Sequence, residues 1–136
     1  LQSNYDLVGL LIGVNNQYQG KSVASYAPEF TALLNKAISL AGGDKSRVFV
    51  VSIPDYGFTP FGESKKDKIS RELDAYNEIN KELTLQQGIK YFYITDISRS
   101  SIRGLVAKDR LHPSGKQYEL WVNRILEDAS FFEFLD

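Results

Sequence analysis

Residues 5–13 read YDLVGLLIG, a nearly unbroken apolar run closed by a glycine, and residues 14–22 read VNNQYQGKS, a mostly polar stretch. A strand covered on one face alternates apolar and polar residues, whereas a continuous run suits a strand buried on both faces, as in a parallel sheet. Tyr5 to Gly13 is therefore expected to be such a strand, with a polar turn after it. Everything downstream fits that start. From about Ser22 to Ala41 the apolar residues Val23, Tyr26, Ala27, Phe30, Leu33, Leu34, Ala37, Ile38 and Ala41 recur at helical spacing, and Gly42-Gly43 supplies the stop. Arg47 to Ile53, RVFVVSI, is a second buried strand, followed by the aromatic loop PDYGFTPFG. A long helix is expected from about Glu63 to Gln87, with Ile69, Leu73, Tyr76 and Leu83 on one stripe. Lys90 to Asp96, KYFYITD, is a third strand.

An irregular stretch then leads to KDRLHPSGKQYELWV, Lys108 to Val122, where Ser114 and Gln117 have the spacing of a capping box. The closing helix is expected to turn Tyr118, Trp121, Val122 and Ile125 inward. Strand and helix alternating three times is the pattern of a parallel sheet with right-handed crossovers, an α/β fold. Ligands of such folds sit beyond the carboxyl ends of the strands. The segments that follow the three strands should share that rim, which gathers Asn15, Asn16, Tyr56, Phe58, Asp109 and His112 from distant parts of the chain.

Composition narrows the function classes. The 136 residues, 43% hydrophobic and 24% charged, are sufficient for one domain with a core. Sixteen basic and 17 acidic residues are interleaved, so no basic footprint for nucleic acid or for an anionic membrane is present, and no membrane span is expected. The absence of cysteine excludes disulfides and thiolate metal sites. There is no methionine either, even at position 1, which leads to the expectation that sequence precedes Leu1.

His112 is the single histidine, three residues after Asp109 and directly before Pro113. A histidine acting as general base needs its second ring nitrogen held by an acceptor, which Asp109 can supply. The same Asp-x-x-His spacing also occurs in turns that are purely structural. At the other end of the rim, Asn15 follows a buried strand, where a side-chain amide can donate to a developing oxyanion, or can simply bond locally in a turn. The serines Ser98, Ser100 and Ser101 lie on the correct rim, and Arg99 or Arg103 is available to bind an anion, but nothing in the spacing sets a serine hydroxyl beside the base. One histidine with carboxylates alone leaves too few ligands for zinc, so no metal and no cofactor is expected. Tyr56, Phe58 and Phe61 are candidate walls for a substrate, or packing for the sheet edge.

Taken together, Gly13-Val14-Asn15-Asn16 and Asp109-Arg110-Leu111-His112 resemble the third and fifth sequence blocks of the SGNH hydrolases, also called GDSL-type esterases and lipases. The resemblance implies a three-layer α/β/α sandwich with a flavodoxin-like parallel sheet. It implies His112 as general base, Asp109 as its orienting acid and Asn15 as the oxyanion donor; from their place on the rim, Asn16, Tyr56 and Phe58 are the residues expected beside the substrate. Asn16 stands where the family has an aspartate. The family's Gly-Asp-Ser nucleophile block is absent, so residues 1–136 are expected to be a single, partial domain whose N-terminal strands and serine lie upstream. The implied reaction is hydrolysis of a small-molecule or carbohydrate ester, with the segment by itself inactive. The alternative is a degenerate, non-catalytic module that binds carbohydrate or another ligand. In the family's strand order the run at residues 5–13 pairs with the absent first strand. An open apolar edge there is expected to lead to self-association, strand swapping or retention of an N-terminal fragment. Compartment stays open, although many such relatives are secreted or periplasmic.

Overall fold

The structure is a computed structural model that describes residues 4–135. Three strands, β1 (Val8–Leu10), β2 (Val48–Val51) and β3 (Lys90–Phe92), form one sheet. All pairings are parallel, in the order β1-β2-β3. Among the described residues five α-helices accompany them: α1 (Val14–Tyr18), α2 (Val23–Leu40), α3 (Lys66–Gln86), α4 (Thr95–Ser98) and α5 (Gly115–Leu126).

The layers follow from the alternation along the strands. Val48 and Val50 face α2 and α3 and join the main core with Tyr26, Phe30, Leu34, Leu73 and Tyr76. Phe49 and Val51 face the other way, where Trp121 and Ile125 of α5 cover them. Two successive crossovers in the same direction put α2 and α3 on one face. The closing helix returns to the opposite face, which completes the α/β/α sandwich. Gly42 and Gly43, at φ 69° and 83°, end α2 in the left-handed region, and the Gly43 amide donates to Ile38 O at 2.9 Å.

Several elements differ from the sequence expectation. The strands are shorter than the apolar runs, because ladder pairing ends where the chain bends toward the rim. Residues 14–18 form a helical turn and a half where a polar turn was expected. The long helix α3 begins at Lys66, after a 3₁₀ turn at Glu63–Lys65. On α5, Trp121 is buried as expected, but Tyr118 and Val122 are exposed and Gln117 is buried in their place. The apolar stripe of α5 is thus narrower than its sequence suggests, since α5 covers only the β2–β3 side of the sheet. Among the described residues β1 pairs with β2 alone, so its outer edge is open.

Candidate active site

The early segment turns sharply at Gly13, whose φ of 137° is closed to most side chains. A Cβ there would sit 2.6 Å from Ile53 Cδ1 and 3.0 Å from Tyr26 Cε1, so space as well as dihedral demands glycine. The Gly13 carbonyl accepts from the Gln17 amide at 3.1 Å, which starts α1 with three residues separating it from the end of β1. Asn15 is exposed on this short helix. Asn16 points elsewhere: its Nδ2 donates to Glu29 Oε2 at 2.6 Å, tying α1 to α2. Gln17 is buried and accepts from the Tyr56 hydroxyl at 2.5 Å.

The late segment is a locked turn. Asp109 Oδ1 accepts from the amides of Leu111 at 3.0 Å and His112 at 2.9 Å, while Oδ2 accepts from His112 Nδ1 at 2.5 Å. One carboxylate therefore fixes both the backbone of the turn and the orientation of the imidazole. The amide of Leu111, then the imidazole and the amide of His112, hold the Asp109 carboxyl down to about 2. An ionised Asp109 accepting from Nδ1–H leaves the lone pair on Nε2, the nitrogen that a base uses. The ends of the turn are clamped by Ala107 N donating to His112 O at 2.8 Å and by the Val106–Pro113 bridge. Arg110 stands at φ 68°, and its carbonyl accepts from Phe61 N at 3.2 Å, which joins this turn to the aromatic loop. Ser114 caps α5 as expected, but the capping box is not reciprocal: Gln117 Nε2 donates to Leu105 O at 2.7 Å instead.

The middle segment is held by polar groups that sequence reasoning missed. Asn77 of α3 pairs with the backbone of Ile53, accepting from its amide at 2.8 Å and donating to its carbonyl at 3.1 Å. In effect the side-chain amide substitutes for a strand neighbour just past β2. Next comes Asp55, with a fully buried side chain. Its carboxylate accepts from Gly57 N at 2.8 Å, Ser70 Oγ at 2.5 Å and Arg99 Nε at 2.9 Å. The Asp-x-Gly spacing at Asp55 is an Asx-turn signal that was legible in the sequence; the pairing with Arg99, 44 residues on, was not. Arg99 also bonds Asp74 at 2.6 Å, so this guanidinium is engaged by carboxylates rather than open to an anion. Ser98 is likewise occupied, accepting from Asp55 N and donating to Thr95 O. Among the described residues no serine hydroxyl is bonded to the His112 ring.

These three segments enclose a cavity of about 400 Å³. Asn15, Tyr56 and His112 all line it, so the early and late turns face the same space. Asp109 stands behind His112. Asn16 and Phe58 are not among the lining residues; the Phe58 ring lies under Lys66 Nζ, 4.1 Å from its centroid. Phe61, one of the candidate walls, lines it, and so do Tyr18, Val106, Leu111 and Gln117, which were not singled out from the sequence. Their signal is weak, because each belongs to a segment whose path depends on tertiary bonds. Among the described residues no group of three or more histidines and carboxylates is placed to hold a metal, and no helix is long and apolar enough to cross a membrane.

A family model described as the GDSL-like lipase/acylhydrolase family matches residues 1–120. No curated protein matches the chain.

Proposed function

Since the chain belongs to the GDSL-like lipase/acylhydrolase family, we propose that it carries the base, the orienting acid and the oxyanion donor of a serine ester hydrolase. The observation that supports this most is the meeting of Asn15 with a carboxylate-anchored His112 at one cavity. In the proposed reaction a serine hydroxyl attacks the ester carbonyl as His112 Nε2 takes its proton. Asp109 keeps the imidazole in the correct tautomer and stabilises its charged form. Asn15 donates to the oxyanion of the tetrahedral intermediate. The protonated imidazole then gives its proton to the leaving alcohol, and water, activated by the same nitrogen, releases the acid.

The nucleophile is proposed to come from outside the 136 residues. The sequence contains no Gly-Asp-Ser block, and the serine nearest to qualifying, Ser98, has its hydroxyl spent on the backbone. The experiment is an assay of a short-chain aryl ester with the full-length protein and its His112→Ala and Asn15→Ala variants. Loss of about 10²–10⁴-fold is expected for the base, and about 10²–10³-fold for the oxyanion donor. Unchanged rates in both variants would end the proposal, and hydrolysis by residues 1–136 alone at the full-length rate would end the claim of an outside serine.

A further inference from the structure

The cavity lining combines two kinds of surface. Asn15 and His112 supply polar groups. Beside them stands a cluster of three rings, Tyr18, Tyr56 and Phe61, whose centroids lie 6.2 to 6.4 Å apart in tilted and edge-on pairs. Tyr18 is 65% exposed and Phe61 52% exposed, so two large aromatic side chains stand at the mouth half in water. Exposed apolar surface of this kind, concentrated at a concave site, marks a place where something apolar binds.

The polar groups of the lining point the same way. Asp55 is saturated by three donors. The Tyr56 hydroxyl is bonded to Gln17, Thr59 Oγ1 to the Tyr56 carbonyl, and Ser98 to backbone groups on both sides. For a polyol the lining leaves Asn15, the rim histidine and Gln117 Oε1, a buried acceptor without a partner, which are few for many hydroxyls. Among the described residues no lysine or arginine lines the cavity, so an anionic group would find no counter-charge in its lining.

Building on the proposed ester hydrolysis, we infer that the ring cluster is an acyl-chain subsite in which Tyr18 and Phe61 determine specificity. The preferred substrate is an uncharged ester of a several-carbon alkyl or aryl acid, rather than an acetylated sugar. The hydrogen bond that the Phe61 amide donates to Arg110 O sets the subsite in register with the turn that carries His112.

The test compares kcat/KM of the full-length protein for p-nitrophenyl acetate, butyrate and hexanoate and for a peracetylated glucose. It adds NMR titration of the 136-residue chain with acetamide and hexanamide, which are uncharged and unreactive analogues. Each added methylene should raise kcat/KM by up to about fourfold, the equivalent of about 0.8 kcal/mol per buried CH₂. The hexanoate-to-acetate ratio should collapse in Phe61→Ala and survive in Phe61→Leu, which keeps an apolar side chain. Equal rates across chain length, or preference for the acetylated sugar, would overturn the subsite while leaving the hydrolase reading intact. If no ester is hydrolysed but hexanamide binds more tightly than acetamide and weakens in Phe61→Ala, the subsite stands and the hydrolase reading falls. No turnover and no preference for hexanamide would overturn both.

Discussion

Replacing Asp55 with alanine removes the one carboxylate that joins the aromatic loop to α3 and to the end of α4. Three donors lose their acceptor at once: the Gly57 amide, the Ser70 hydroxyl and Arg99 Nε. A hydrogen bond to a charged group contributes about 1.5–3 kcal/mol, and removing one partner of a buried ion pair costs about 3–5 kcal/mol. The upper figure is reduced here, because the Arg99 side chain is 23% exposed and keeps its bond to Asp74. The expected loss is about 2–4 kcal/mol, measured as a fall in the urea midpoint at unchanged m-value. Arg99→Ala alone strands the fully buried carboxylate and should cost at least as much. The double variant should cost clearly less than the sum, because the two side chains act as one unit. A loss below about 0.5 kcal/mol for Asp55→Ala, the range of ordinary surface changes, would refute the idea that this network holds the cavity wall.

Gly13→Ala should destabilise the chain by about 2–4 kcal/mol through the positive φ and the contact with Ile53, read by denaturation; a neutral result would show that the turn before Asn15 has room. Asp109→Asn in the full-length protein should lower kcat by about 10⁴-fold, because an amide facing Nδ1 favours the wrong tautomer; a loss under tenfold in steady-state assays contradicts the role. The folded Asp109 value lies below the ordinary carboxylate range, at about 2, so the ionised form favours the locked turn. That contribution is complete above about pH 4 and disappears as pH falls through about 2. The Asp109 carboxyl ¹³C resonance should titrate with a midpoint below 4, and a midpoint at or above 4 contradicts the locking bonds. The open edge of β1 should make residues 1–136 self-associate with rising concentration in light scattering; a clean monomer at high concentration counts against it.

The alternation of elements was legible because each buried strand and each helical stripe is a local pattern. Tyr26, Phe30 and Leu34, or Ile69, Leu73 and Tyr76, announce their face by spacing alone, and all are buried where that spacing puts them. Element ends were less legible. The α1 helix forms because Gly13 accepts from Gln17 and because Gln17 is held by Tyr56, 39 residues away. A local reading of VNNQYQGKS contains neither partner and so gives a turn. Tyr118 and Val122 were placed inward on periodicity, but what an amphipathic stripe meets depends on how far the sheet extends beneath it.

The site divides in the same manner. Asp109 and His112 were visible because their bond closes within three residues. The aromatic wall was partly visible in Tyr56 and Phe61, but the network that holds it was not, because Asp55, Arg99, Asn77 and Gln17 are polar side chains whose partners arrive from other elements, and buried polar groups carry no periodic signature. The division has a chemical consequence. The His112 side chain is 70% exposed, so its orientation depends on Asp109 rather than on packing, and bulk water reaches it. Oxyanion stabilisation is strongest where water is excluded. A dyad this open gains most when the substrate itself dries the site, and an apolar chain seated against Tyr18 and Phe61 would do so. On that reasoning chain length should appear in kcat as well as in KM, since the same contact that binds the acyl group also lowers the local dielectric around His112 and Asn15.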